Sequence, residues 1–196
     1  MTWVKVCGFT ETTDVAAAVA AGVDAVGFVN IGSSPRFVTR QQAFDLADGV
    51  PALTILLTLD VEPDEGLSIL RDSAIDGLQP YGKNAGATAR AVVEAGGVVL
   101  FPQRAGAAMA SAPGIPLLDT PAGDALGGTG KTFDWALASG LPERFVLAGG
   151  LGPDNIAAAI STVQPWGVDA SSRLELSPGR KDPSMVASFI ERAKEE

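Results

Sequence analysis

Short apolar runs alternate with longer amphipathic stretches from one end of the chain to the other. The runs "WVKVCG", "AVGFVN", "LTILLTLD", "GLQPY", "VVLFP", "IPLLDT", "RFVLAGG" and "GVDASS" are five to eight residues long. That length, with their apolar character, predicts buried strands. Between them "TTDVAAAVAAG", "TRQQAFDLADG", "PDEGLSILRDSA", "AGATARAVVEAG", "FDWALASG", "GPDNIAAAIS" and "PSMVASFIERAKEE" carry helical spacing. Several open on a Ser, Thr or Asp suited to an N-cap and close at Gly. "RAGAAMASAPG", between the fifth and sixth runs, is weaker and reads as a turn or a stunted helix. Strands alternating with helices predict parallel β/α units. Eight units predict an α/β fold closed as a (β/α)8 TIM barrel, short at 196 residues and with a reduced fifth helix. A doubly wound open sheet is the competing architecture. No linker, charge block or low-complexity segment divides the chain, so a single domain over residues 1–196 is expected.

In a barrel, the strand ends that lead into helices form the active face. Here those ends carry Cys7, Asn30, Asp60, Tyr81, Asp119, Gly149 with Gly150, and Ser171 with Ser172. Composition narrows what they can do. The net charge is −9 with no basic run, which argues against a nucleic-acid partner. No stretch approaches the ~20 apolar residues that span a bilayer, so no membrane partner is expected. "MTWVKV" lacks the regions of a signal peptide, and one cysteine permits no intrachain disulfide, which together point to the cytoplasm. The chain has no histidine, which removes Ser-His-Asp triads, Cys-His dyads and His-containing metal sites, and no metal ligands are assigned. Acid–base chemistry is left to Asp, Glu, Cys, Lys or Tyr. Free cysteines are more often packing residues than reagents, but this restriction raises the standing of Cys7.

The richest stretch is "PLLDTPAGDALGGTGKTFDW", residues 116–135. Gly127–Gly130 precedes a short helix opening near Thr132, and glycines before a helix let backbone N–H groups turn towards an anion. Small-residue loops recur at Ala148–Gly150 and at Ser171–Ser172, and late loops of barrels often hold a phosphate between them. The segment "ALGGTGKT" also fits a relaxed Walker A pattern. A P-loop follows its strand directly and precedes a long helix, whereas here five residues separate Asp119 from Ala125 and "FDWALASG" is short. Nucleotide hydrolysis is therefore set aside.

Taken in order, "KVCGFT", "AGVDAVGFV" with "SPRFVT", "LLDT", "GGTGKTFDW", "LAGGLGPDNI" and "VDASSRLELSPGRKD" make the chain resemble the phosphoribosylanthranilate isomerases of tryptophan biosynthesis over nearly its whole length. The resemblance implies an Amadori rearrangement of N-(5′-phosphoribosyl)anthranilate to 1-(2-carboxyphenylamino)-1-deoxyribulose 5-phosphate. It implies Asp119 as the acid that protonates the ring oxygen, Cys7 as the base that takes the C2′ proton, and no cofactor. It further implies Arg36 on the anthranilate carboxylate. The phosphate would lie across Gly128, Thr129 and Gly130, Gly149 with Gly150, and the Ser171–Ser172 region. Lys5 shares a strand face with Cys7. Asp169 lies on the last strand, beside the first in a closed barrel, where it pairs with Lys5 either as a structural ion pair or to tune the thiol.

The chain also departs from the family. Tyr81 stands where relatives carry histidine in "QLHG", and keeps a hydrogen-bonding group for substrate. Arg173 replaces a glycine of "SSGVE": it either adds a charged contact to the phosphate or crowds a backbone that needs glycine. Two other readings stand beside this one: a phosphosugar-binding or assembly protein on the same barrel, catalytically weak because of Tyr81 and Arg173, or a related phosphosugar isomerase or synthase. The partner is expected to be the small phosphoribosyl substrate, with the protein a monomer or homodimer.

Overall fold

The computed structural model describes residues 1–104, 113–119 and 144–195. Eight parallel strands close into one barrel in chain order: β1 (Trp3–Cys7), β2 (Ala25–Asn30), β3 (Leu53–Leu59), β4 (Gly77–Tyr81), β5 (Val98–Arg104), β6 (Ile115–Asp119), β7 (Val146–Leu147) and β8 (Gly167–Ala170). Closure is made by β1 against β8, with Lys5 opposite Asp169. The doubly wound sheet is thereby excluded. Around the barrel run α1 (Thr12–Ala20), α2 (Arg40–Ala47), α3 (Pro63–Asp72), α4 (Ala85–Glu94), α5 (Ile156–Val163) and α6 (Pro183–Glu195). The stunted fifth helix expected near 104–114, the helix "FDWALASG" and the "ALGGTGKT" segment fall largely or wholly outside the described residues.

Strand periodicity sorts the side chains into two cores. Val4, Val6, Val26, Phe28, Leu56, Leu78 and Val168 point outward and pack under helix residues such as Val15, Ile69, Val92 and Phe189. Cys7, Ala25, Ile55, Leu57, Leu100, Leu117 and Val146 point inward and fill the barrel. At the start of the strands Trp3 stacks on Trp166 with centroids 5.1 Å apart, and the Arg144 guanidinium lies 4.3 Å over the Trp166 ring. The barrel is thus plugged by aromatic packing at its lower end and opens towards the strand ends that carry Cys7 and Asp119.

The helix punctuation is partly as expected. Thr39 and Gln42 form a capping box on α2, and Asp182 accepts from the backbone N–H groups of Ser184 and Met185 at the start of α6. By contrast, α1 and α3 begin at Glu11 and Glu62, whose side chains make no capping bond. Gly22, Gly49 and Gly96 follow α1, α2 and α4 with positive φ. One feature was not legible. After β8 the chain forms a 3₁₀ turn (Ser172–Leu174) and an antiparallel hairpin, β9 (Glu175–Ser177) with β10 (Arg180–Lys181). Strands of three and two residues are too short to show a period.

Candidate active site

The inward face of β1 carries Lys5 and Cys7 in succession, because alternate residues of a strand point the same way. β8 supplies Asp169 and β4 supplies Gln79 and Tyr81 by the same rule. Lys5 is fully buried; its Nζ donates to Asp169 Oδ2 at 2.9 Å and to Gln79 Oε1 at 3.2 Å. Gln79 Nε2 in turn donates to the Tyr81 hydroxyl at 2.7 Å. A polar line of Asp169, Lys5, Gln79 and Tyr81 therefore crosses an otherwise apolar interior, with the Cys7 thiol at its upper edge. Such a line is specific: every member has a partner, and losing one would strand another in low dielectric.

The charges act on one another. Burial alone would push Lys5 down, but the Asp169 carboxylate foremost, and the Cys7 sulfur after it, outweigh that and hold its pKa above the ordinary value, so it stays an ammonium. Asp169 is driven up by burial, which the ammonium offsets only in part, and its Oδ1 accepts no hydrogen bond among the described residues. Burial also pushes the Cys7 thiol up, Lys5 and Lys181 pull it back, and Asp169 opposes them. Tyr81 is pushed well above its usual range, first by burial and then by the Asp119 carboxylate, so its hydroxyl remains protonated. That Tyr81 responds to Asp119 and to Cys7 puts all three within one electrostatic neighbourhood at the barrel mouth.

Asp119 closes β6 and is half-buried. Cys7 ends β1, three strands round the barrel from β6, and stands opposite Gly27 in the register of β1 and β2. A methyl group on Gly27 would stand 2.8 Å from the Cys7 sulfur, so only glycine leaves the thiol its place. Ser171, just past β8, donates from its hydroxyl to the Cys7 carbonyl at 2.9 Å and ties the eighth loop to the first strand.

The remaining expected residues divide. Gly149 and Gly150, after β7, adopt φ of 92° and 64°, which turns that loop back on itself; the Gly150 carbonyl accepts from Asn155 Nδ2 and from Arg173. Ser172 opens the 3₁₀ turn. Arg173 spends its guanidinium on the Gly150 carbonyl at 3.0 Å and on both oxygens of Asp154 at 2.9 and 2.7 Å. It clips the seventh loop to the eighth, and its side chain is one-third exposed along a cleft of about 610 Å³ that also runs past Pro153, Glu175 and Met185. Gly128, Thr129 and Gly130 lie outside the described residues. Two other strand ends serve their loops. Asn30 Nδ2 donates to the Val38 carbonyl at 2.9 Å, and Asp60, exposed with φ of 54°, accepts from the Lys83 N–H at 2.6 Å.

Arg36, in the loop after β2, is almost buried and pairs side-on with Glu175 of β9, through Nε at 2.8 Å and Nη2 at 2.7 Å. Lys181 of β10 donates to the same carboxylate at 2.8 Å. The sequence reading assigned no role to Gln79, Glu175, Lys181 or Gly27. Glu175 and Lys181 sit inside "SSRLELSPGRKD", but nothing in that string reveals a hairpin folding back onto a loop 139 residues away. Among the described residues, no group of three His, Cys, Asp or Glu side chains is arranged to hold a metal ion, and no helix is long and apolar enough to cross a membrane.

Residues 4–192 match the family model described as N-(5′-phosphoribosyl)anthranilate (PRA) isomerase. A Pelobacter propionicus relative, an N-(5′-phosphoribosyl)anthranilate isomerase, is 40% identical over 98% of this chain and 95% of its own. Phosphoribosyl anthranilate isomerase from Thermotoga maritima superposes with a TM-score of 0.85 at 31% identity, covering both chains completely. A phosphoribosyl anthranilate isomerase solved with reduced 1-(o-carboxyphenylamino)-1-deoxyribulose 5-phosphate superposes with a TM-score of 0.82 at 28% identity, again over all of both chains.

Proposed function

The chain belongs to the N-(5′-phosphoribosyl)anthranilate isomerase family and is an enzyme of tryptophan biosynthesis, and on that premise we propose that Cys7 and Asp119 carry its reaction. The observation behind this reading is the placement of the single thiol at the end of β1 beside a buried ammonium, with Asp119 at the same end of β6, three strands round the barrel. Asp119 protonates the furanose ring oxygen, and the ring opens as the substrate nitrogen forms a Schiff base. Cys7, as thiolate, then takes the C2′ proton; the electron pair of that C–H bond forms the C1′–C2′ double bond while the nitrogen accepts the displaced pair. The resulting enol becomes the ketone as its C2′ hydroxyl gives up a proton and C1′ gains one. No external electron sink is needed.

Electrostatics support the assignment of roles. The resting thiol is disfavoured as an anion by burial, and Lys5 and Lys181 offset this. The cationic Schiff base formed in the first step adds a third positive charge beside the sulfur when the base is required. Tyr81, held protonated, is a hydrogen-bond donor towards the sugar or towards Asp119. Arg36 receives the anthranilate carboxylate, for which a planar guanidinium is suited. The phosphate lies over the Gly149–Gly150 turn and the Ser171–Ser172 backbone, two loops that Arg173 ties together; Gly128, Thr129 and Gly130, which the resemblance adds to this site, lie outside the described residues.

The test follows loss of phosphoribosylanthranilate fluorescence, with the substrate generated in situ. Cys7→Ser and Asp119→Asn are each expected to lower kcat by at least ~10²–10⁴-fold, the usual worth of a general base or acid. Wild-type turnover unchanged in both variants would overturn the assignment.

A further inference from the structure

Glu175 is placed as no surface carboxylate would be. Its side chain is 4% exposed and sits between two cations, Arg36 at 11% and Lys181 at 1%. Oε1 accepts from Arg36 Nε at 2.8 Å, from Lys181 Nζ at 2.8 Å and from the Gly179 N–H at 3.4 Å; Oε2 accepts from Arg36 Nη2 at 2.7 Å. Burial works against ionisation here, but the Arg36 and Lys181 contacts outweigh it and hold the carboxyl below its usual range. Lys181 is anchored from several sides. Its Nζ also donates to the Ser171 carbonyl at 3.2 Å, its backbone N–H donates to Asp14 Oδ2 at 2.8 Å, and the ammonium stands 5.7 Å from the Phe9 ring centre. The hairpin thus fixes Glu175, and Glu175 fixes Arg36.

Two consequences follow for an incoming carboxylate. The pair uses the Nε–Nη2 edge of the guanidinium and leaves the Nη1–Nη2 edge, with one N–H on each nitrogen, unengaged among the described residues. That edge is itself bidentate. In charge, one carboxylate faces two cations, so the cluster keeps a net positive charge that a simple Arg–Glu pair would lose. Gly8 completes the fit, since a methyl group there would collide with Arg36 Cδ at 2.5 Å.

We infer that Glu175, supported by Lys181, is a positioning residue for substrate specificity: it holds Arg36 side-on so that the opposite edge of the guanidinium selects an aromatic substrate bearing an ortho carboxylate. This rests on the reading of Arg36 given above. Without Glu175 the long side chain regains its rotamers, and ordering it again at each binding event costs affinity for the carboxylate alone.

The test compares N-(5′-phosphoribosyl)anthranilate with the analogue lacking the carboxylate, N-(5′-phosphoribosyl)aniline. Glu175→Gln is expected to lower kcat/KM for the anthranilate substrate roughly 10- to 30-fold, chiefly through KM, and for the aniline less than about threefold. Arg36→Met abolishes the preference between the two, and adding Glu175→Gln to it costs nothing further. An equal loss on both substrates, or no loss on either, in Glu175→Gln would overturn the inference while leaving Arg36 in its role. An Arg36→Met enzyme that still prefers the carboxylate would instead overturn the reading of Arg36. Should Glu175→Gln fail to fold, Glu175→Asp keeps the charge, shortens its reach by one methylene and is read by the same comparison.

Discussion

Gly27→Ala is a one-methyl test of whether Cys7 works by position. The added carbon would stand 2.8 Å from the Cys7 sulfur, 3.1 Å from Lys5 Cε and 3.2 Å from Cys7 Cα. Ordinary contacts lie near ~3.5–4.0 Å, so the sulfur must retreat by roughly 0.7–1.2 Å or the two strands must part. The flanking backbone resists parting, because the Gly27 carbonyl accepts from the N–H groups of Gly8 at 2.8 Å and Phe9 at 3.1 Å. Overpacking of this kind costs about 1–3 kcal/mol of stability. A displacement of ~1 Å at a reacting atom costs on the order of 10²-fold in rate, about 2.7 kcal/mol in the barrier. Steady-state kinetics with phosphoribosylanthranilate should show kcat down roughly 30- to 100-fold. KM should be little changed, since the three atoms nearest the methyl all belong to Cys7 and Lys5. Thermal unfolding should show a loss of several degrees, and Gly27→Ala added to Cys7→Ser should cost no further activity. A folded Gly27→Ala enzyme with kcat within about twofold of wild type would refute the claim that the thiol acts from its present position.

Two further predictions concern the buried charges. Lys5→Met leaves Asp169 in the barrel without its cation and should cost about 3–5 kcal/mol, most of it recovered in Lys5→Met/Asp169→Leu. Because the thiolate is the reactive form and Lys5 pulls the thiol pKa down, the rise of kcat/KM and of Cys7 alkylation with pH should move to higher pH in Lys5→Met. No shift, or a shift to lower pH, would remove Lys5 from the environment of the thiolate. Tyr81 is the single tyrosine and its folded-state pKa lies above the unfolded value of ~10. The unfolded chain therefore releases the phenol proton first, and stability falls as pH rises past that value. Phenolate absorbance should appear only with unfolding, and Tyr81→Phe should flatten the alkaline loss measured by denaturant titration. An unchanged slope would refute it.

Much of this protein was decided by its sequence alone. The alternation of five- to eight-residue apolar runs with helical stretches led to the closed barrel, since the period of two or 3.6 is a local property of the backbone. The same period put Lys5 beside Cys7, and barrel closure put Asp169 opposite Lys5 at the 2.9 Å observed. Local chemistry also picked out Cys7, as the one thiol of a chain without histidine. Only the tertiary structure decided the rest. Arg173, which the sequence leaves between a charged contact and a crowded backbone, is bonded to Asp154 and to the Gly150 carbonyl. Gln79 reads as an ordinary strand residue until its amide is seen bridging Lys5 and Tyr81. Glu175 and Lys181 meet Arg36 across the molecule through a hairpin with two- and three-residue strands, too short to leave a pattern. Periodicity reports which way a side chain faces; which distant charge it meets depends on how the chain closes, and no local signal carries that.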